Sequence, residues 1–575
     1  MKKVLSIFSL IYLFSSVTIA APRSLSQMKA AAESALKAQP AAATRGGSAQ
    51  LEVMKQGGQY TVLGYANGGF AVIANDDRFN AVLGYSDTEF PSGNIPPAMQ
   101  WWMDAADEAM SQRLESGGTY TSVTPQANGS YPEEVKPLMV SEWDQMEPYN
   151  NLASERIGAT VYTGCVATAM AQIMYYHKSP TRGMGGKNYT VSSEDPSTNG
   201  KRLAVSFQAT TYDWDNMLPT YTAGGYNDTQ ANAVATLMFH CGVAVEMSYG
   251  TMAVGGSGAY DYNVPPALEQ YFGYSAKLYT RDIYSTEQWM NIIFDEISNG
   301  RPVFYGGVTA QFAGHAFVFD GYNADGFVHV NWGWSGSGNG YFDVALLNSS
   351  TGTYSYQQDM VIMHPEGQPE IPYTSQWGII DWPLQNARGS FSVTVSGTQL
   401  SYSATQLFNF DSEDFDGNIG LLAEPVEGGT ATVLNEFYIT EQLGGVVEYL
   451  NGIGRIGNTV DISGLADGTY RVYLASKALN ETEWQTVHSN ENIVNNYIVT
   501  KQGMTATVTD GEGGWTTGIE NVAAGIASGD GTVRVYTVDG VLVYTSPADM
   551  FSLEDVPAHG LLIIKNGAHT VKVMK

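Results

Sequence analysis

Cys165 follows Gly164 and opens a run of good helix formers that continues through Val166-Ala167-Thr168-Ala169-Met170-Ala171-Gln172-Ile173-Met174. Val166, Ala169, Met170 and Ile173 recur at the spacing of one buried helix face. The cysteine therefore sits at a helix start, where unsatisfied backbone N–H groups and the positive end of the helix dipole point at its sulfur. Both favour the thiolate, the nucleophilic form. Most single cysteines are inert packing groups, and this stretch alone leaves both roles open. A histidine decides between them. His315 begins a strand pattern, Gly314-His315-Ala316-Phe317-Val318-Phe319-Asp320-Gly321, in which His315, Phe317 and Phe319 share one face. A short loop leads to Phe327-Val328-His329-Val330-Asn331-Trp332. A hairpin turning near Asn323 sets Asn331 directly across from His315, so its amide would hold one ring nitrogen and leave the other facing the sulfur. Nucleophile, base and orienter together are the logic of acyl-transfer enzymes. His329 shares the face of Asn331 but sits mid-strand without a glycine opening beside it, so His315 is the expected base.

Other chemistries find little support. There is no Cys-x-x-Cys and no His-Glu-x-x-His, and the eight histidines are scattered, so neither a metal nor another cofactor is expected. The glycine-rich run Gly333–Gly340 follows a strand but leads into Tyr341-Phe342 rather than a helix. It is therefore not a dinucleotide loop, and a mobile loop over a cleft is expected. Cys241 falls on an apolar helical face with Val234, Leu237 and Met238, and is expected to be buried and unpaired.

Positioning these groups takes helices first and strands second, an α+β order with a cleft between the halves. The second unit of the chain, 135–366, has it. Helical patterns follow Cys165 and cover Thr229–Cys241 and Glu287–Ser298. Strand patterns follow at Pro302–Gly307, His315–Asp320, Phe327–Trp332 and Tyr341–Val344. Before this unit, residues 51–115 read as strands (Tyr60–Tyr65, Phe70–Ala74, Ala81–Tyr85) and one helix after Pro96-Pro97. The apolar face of that helix is Met99, Trp102, Met103, Ala106 and Met110. Residues 22–50 are expected to be loosely ordered, and 116–134 to be an exposed linker. Residues 370–510 read as a β-sandwich. A Gly/Thr-rich link leads to a last β unit, 516–575, with an Asp539-Gly540 hairpin turn.

A chain of 575 residues is too long for one core, and three to five domains are expected. With 28 basic and 57 acidic residues the formal charge is −29, which repels phosphate backbones and argues against nucleic acid as a partner. Lys2 and Lys3, the apolar stretch Val4–Val17 and the small residues of Thr18-Ile19-Ala20 read as an export signal over residues 1–20. The mature chain is expected to be secreted or at the cell surface.

The order Cys, His, Asn-Trp resembles the papain-like cysteine peptidases. Thr163-Gly-Cys-Val-Ala-Thr-Ala169, Tyr212-Asp-Trp-Asp-Asn-Met217, Gly314-His-Ala-Phe-Val-Phe-Asp-Gly321 and His329-Val-Asn-Trp-Gly-Trp334 resemble the streptopain family. The resemblance covers roughly residues 50–365, because the strand-rich first unit looks like that family's propeptide. It implies an α+β fold: a papain-like catalytic domain, preceded by a small α+β propeptide (21–134) and followed by β-sandwich domains. It further implies Cys165 as nucleophile, His315 as general base, Asn331 and Trp332 flanking the histidine, and Gly314 along the substrate groove. Protein and peptide substrates, and the chain's own propeptide as intramolecular inhibitor, are the implied partners. One departure matters: Arg156-Ile157-Gly158-Ala159 lacks the glutamine that papain-like enzymes commonly use as oxyanion donor. The Cys165 N–H must then serve, with the Trp332 indole as one candidate for a second donor. The tail, Val533 to Lys575, resembles the C-terminal sorting domains that Bacteroidetes attach to secreted enzymes, which implies secretion machinery as a partner. The expected protein is a cysteine endopeptidase made as a zymogen. The alternative is a surface adhesin whose papain-like domain is inactive.

Overall fold

The computed structural model describes residues 22–37, 50–116, 120, 122–125, 131–308, 314–347, 358–381, 387–490, 492–511, 532–537, 542–547, 556, 561–566 and 569–574. The expected signal segment and the Asp539-Gly540 turn lie outside them. The chain divides into two compact units: Arg23–Asn75 with Phe79–Thr516, and Met1–Pro22 with Asp76–Arg78 and Thr517–Lys575.

The larger unit begins with a helix, not a loose segment. Helix α1 (Leu25–Lys37) buries Ala32 and Leu36 against Leu51, Leu63, Ala71 and Ile73. Its run of alanines gives high helix propensity, and the strands beneath supply the apolar surface that holds it. Four antiparallel strands follow: β1 (Glu52–Gln56), β2 (Tyr60–Gly64), β3 (Phe70–Ala74) and β4 (Val82–Ser86). Pro97 starts helix α2 (Pro97–Ser116), a position where its missing N–H costs nothing. All five residues of its expected apolar face are buried.

The next stretch supplies helices α3 (Asn151–Ile157) and α4 (Cys165–His177) and the small hairpin β5 (Lys187–Thr190) and β6 (Arg202–Val205). Helix α5 (Asp228–Ala244) follows, opened by a capping box between Asn227 and Gln230. After it come α6 (Val264–Phe272), β7 (Ser275–Thr280) and α7 (Thr286–Ser298). The strands β8 (Val303–Val308), β9 (Gly314–Tyr322), β10 (Val328–Asn331), β11 (Gly340–Phe342) and β12 (Asp359–His364) complete this part. One ten-stranded sheet runs β1-β2-β3-β4-β11-β10-β9-β8-β12-β7. The strands of the first 90 residues are thus not a separate body docked by side chains alone. They extend the later sheet through backbone pairing at Tyr85↔Tyr341 and Gly84↔Phe342.

Strand β9 divides two cores. Ala316 and Val318 face the core of α4 and α5, with Val166, Met170 and Cys241. Phe317 and Phe319 face a second core with Trp101 and Trp102 of α2, Trp289 of α7, and Trp332.

Between residues 377 and 510 the chain forms a five-stranded and a six-stranded sheet, packed around Trp377, Leu400, Leu421, Val472 and Leu474. The smaller unit carries a four-stranded antiparallel sheet of Thr532–Thr537, Leu542–Pro547, Leu561–Asn566 and His569–Met574.

Candidate active site

Gly164 caps α4 with φ 87°, a left-handed conformation that favours glycine. A β-carbon there would also lie 2.6 Å from the Met247 sulfur. This turn sets Cys165 as the first helical residue, as its sequence predicts. The N–H groups of Cys165 and Val166 do point at Sγ, and the Ala316 N–H donates to it from β9. They do not leave a thiolate. Burial outweighs them and pushes the thiol up to about 11. Cys241 is buried beside Met174 with no disulfide, and burial raises its thiol further.

His315 and Cys165 line one cavity of about 680 Å³, together with Gly314, Ala316, Asp261 and Asp359. Among the described residues no hydrogen bond joins the two. His315 lies opposite Gly307 and, by strand alternation, on the face of Phe317 and Phe319. Burial pushes its imidazole down to about 4. Helix α2 packs hard beside it: a β-carbon on Gly307 would strike the Trp101 ring, which also meets Phe317 at 5.8 Å. Burial thus disfavours the charged form of both groups in the intact chain. Gly314 is exposed, and among the described residues a β-carbon there would meet Val308 at 3.8 Å.

Asn331 does not face His315. It pairs with Val318, and a bulge between His329 and Val330 shifts the register further. Asn323 begins the turn rather than centring it: its side-chain oxygen accepts from the N–H groups of Asp325 and Phe327. The Asn331 amide donates to the Ser141 carbonyl (2.7 Å) and to Gln172 (3.2 Å), and accepts from the Gly333 N–H. Gln172 in turn accepts from the Trp143 N–H. Asn331 thus ties β10 to the helix that carries Cys165. Gln172 escaped the sequence reading, although an amide inside an apolar helix is the kind of signal that marks such a tie.

Trp332 is buried against Phe317 (5.0 Å) and Phe342 (5.1 Å). Its indole N–H donates to the Gly338 carbonyl at 2.9 Å, so it is not a free oxyanion donor. His329 pairs with buried Asp320 at 2.6 Å, and neither lines the cavity. The loop after Trp332 is pinned, not free over the cleft. Ser335 donates to Asp144, the Gly338 N–H donates to the Thr88 hydroxyl, and Met99 packs on Gly338. Within the expected linker, Tyr120 and Ser122 donate to buried Asp343 at 2.7 and 3.2 Å.

Three carboxyl groups border the cavity, those of Glu194, Asp261 and Asp359. Burial raises Asp359 to about 7, although Thr280 donates to it at 2.7 Å. Asp261, lying against Gly306, is raised well above the carboxylate range by burial and by Asp359.

Residues 143–342 match the model of the peptidase C10 family, and residues 21–110 match that of the Spi protease inhibitor. Streptopain of Streptococcus pyogenes is 34% identical over 322 residues, covering 52% of this chain and 79% of streptopain. The thiol protease/hemagglutinin PrtT of Porphyromonas gingivalis is 30% identical over 356 residues, 58% of this chain and 38% of PrtT. Among solved structures, a prointerpain A fragment of Prevotella intermedia is similar over its whole length and 56% of this chain, at 42% identity and a TM-score of 0.51.

Proposed function

The chain belongs to the peptidase C10 family and is a cysteine peptidase with a papain-like catalytic fold; on that premise we propose that it is an exported endopeptidase made as a zymogen. The observation that carries this reading is the shared cavity of Cys165, at a helix start, and His315, at a strand start. Cys165 as thiolate attacks the peptide carbonyl carbon. His315 as imidazolium protonates the leaving amine, then takes a proton from the water that hydrolyses the thioester. The Cys165 N–H stabilises the oxyanion. Asn331 and Trp332 act as positioning residues, and substrate passes along Gly314.

Residues 21–134 serve as the inhibitory propeptide, and 135–366 as the peptidase domain. Two observations support inhibition: the continuous sheet, and the Trp101 ring packed on Gly307, the residue opposite His315. Removing the first unit frees β11 and the loop before it and lets His315 turn to the sulfur. Residues 370–510 form a β-sandwich domain, and 516–575 a sorting-like domain that engages secretion machinery.

The test is incubation of wild type and Cys165→Ala, followed by N-terminal sequencing and digestion of a peptide library. Wild type is expected to acquire a new N-terminus between residues 116 and 142 and to cut the library until a thiol-alkylating epoxide is added. Cys165→Ala stays full length and inert. Hydrolysis by Cys165→Ala sinks the mechanism. An inert wild type with no alkylatable Cys165 favours the adhesin reading.

A further inference from the structure

The cavity beside Cys165 is not closed by the peptidase half alone. Tyr449 and Leu450, from the β-region after residue 370, line it together with Cys165, His315 and Ala316. They lie outside the residues that either family model matches. The turn that carries them is built rigidly. The Asn409 backbone bonds Leu450 at 2.7 Å and Asn451 at 2.9 Å, and the Asn409 side chain donates to the Val447 carbonyl. Leu450 has φ 59°, a left-handed conformation that a branched side chain adopts only where its surroundings enforce it.

The β-region itself is fastened to the peptidase half. Buried Lys277 of β7 pairs with Asp411 at 2.8 Å. Tyr284 donates to Gln376 at 2.7 Å, and Ile283 lies under Gly378. Tyr449 then reaches across: its hydroxyl bonds Thr280, and its ring meets Tyr262 at 5.2 Å, which stacks on Tyr260 at 5.0 Å. The Tyr449 ring is thus held through its hydroxyl and through its contact with Tyr262.

We propose that Tyr449 is a specificity-determining residue: its ring sets the size of the substrate side chain that enters the pocket beside Cys165. The proposal rests on the peptidase reading above. A peptide passing Gly314 toward Cys165 places one side chain in this cavity, and a fixed ring at its end discriminates by length and bulk. Truncating the ring opens the pocket, so bulky side chains gain affinity while the reacting atoms are unchanged.

The experiment profiles matured wild type, Tyr449→Ala and Tyr449→Phe on a peptide series that varies each position before the cut from Val through Leu and Phe to Trp. In Tyr449→Ala, kcat/KM for the bulkiest side chain relative to the smallest is expected to rise roughly tenfold at one position, mainly through KM. Tyr449→Phe, which keeps the ring, is expected to retain the wild-type profile. Tyr449→Leu, a milder truncation, should shift in the same direction and is read instead if the alanine variant does not fold. A folded, active truncation with the wild-type profile overturns the proposal and leaves the peptidase reading standing. A wild type that cuts no peptide overturns both.

Discussion

The thiol and imidazole illustrate how far a side chain's chemistry depends on what surrounds it. A helix start favours thiolate, yet in the intact chain burial holds the Cys165 thiol at about 11 and the His315 imidazole near 4. Only about one thiol in ten thousand is then ionised at pH 7. Alkylation of Cys165 in the uncleaved chain should accordingly be slow at pH 7 and climb with pH toward 11. Removing the first unit should speed it at least about a hundredfold at neutral pH; mass spectrometry of iodoacetamide-treated samples reads both, and equal rates would contradict the masked state. Asp359 offers a second test. Its carboxyl is raised from the ordinary range to about 7, with Thr280 donating to it and Asp282 and Asp261 nearby. A raised folded value favours the neutral form, so its contribution is fully present below about pH 4 and lost as pH rises through about 7. Asp359→Asn keeps the acceptor for Thr280 but cannot ionise. Its stability should match wild type near pH 4 and exceed it above pH 8, by at most about 4 kcal/mol, in denaturant titrations across that range.

Among the elements, the pairing of β4 with β11 matters most, because it makes propeptide and enzyme one sheet. Edge strands are natural templates for another strand, and here the first unit occupies the edge that cleavage would expose. Gly84 permits the approach: a β-carbon there would lie 2.5 Å from the Phe342 ring. Gly84→Val should therefore loosen the junction without touching the cavity. The expected result is faster self-cleavage of the full-length chain, by severalfold in a gel time course, with the matured enzyme unchanged. Cleavage at the wild-type rate would mean that side-chain contacts such as Trp101 on Gly307 suffice to hold the unit.

Across the whole molecule, the β-region after residue 370 is fastened to β7 by the Lys277–Asp411 pair, about nine-tenths buried on both sides. Breaking one partner of a buried pair strands the other charge and typically costs about 3–5 kcal/mol, whereas replacing both with apolar groups costs much less. Lys277→Ala should lower thermal stability by several degrees and disturb the pocket wall that Tyr449 forms. Lys277→Met with Asp411→Leu should recover most of the stability. Calorimetry of the three proteins checks this, and an unchanged Tm in Lys277→Ala would show that the junction is held by its apolar contacts alone.

Local order was written in the sequence because helix and strand periods are short-range properties. Cys165 at a helix start, the buried face of α2 and the β9 alternation of His315 with Phe317 all follow from residues within a turn or two. Helix α1 was missed because its alanine-rich pattern has few large apolar residues, and the surface that stabilises it lies on β2 and β3. Tertiary structure alone decided the rest. Register depends on where a turn starts, and Asn323 starting the loop moved Asn331 from His315 to Gln172 and Ser141. Ionisation depends on burial, which works against the thiolate that the helix start favours. The pocket wall depends on Tyr449, whose arrival beside Cys165 is set by the packing of a β-region far along the chain, and no local pattern encodes it.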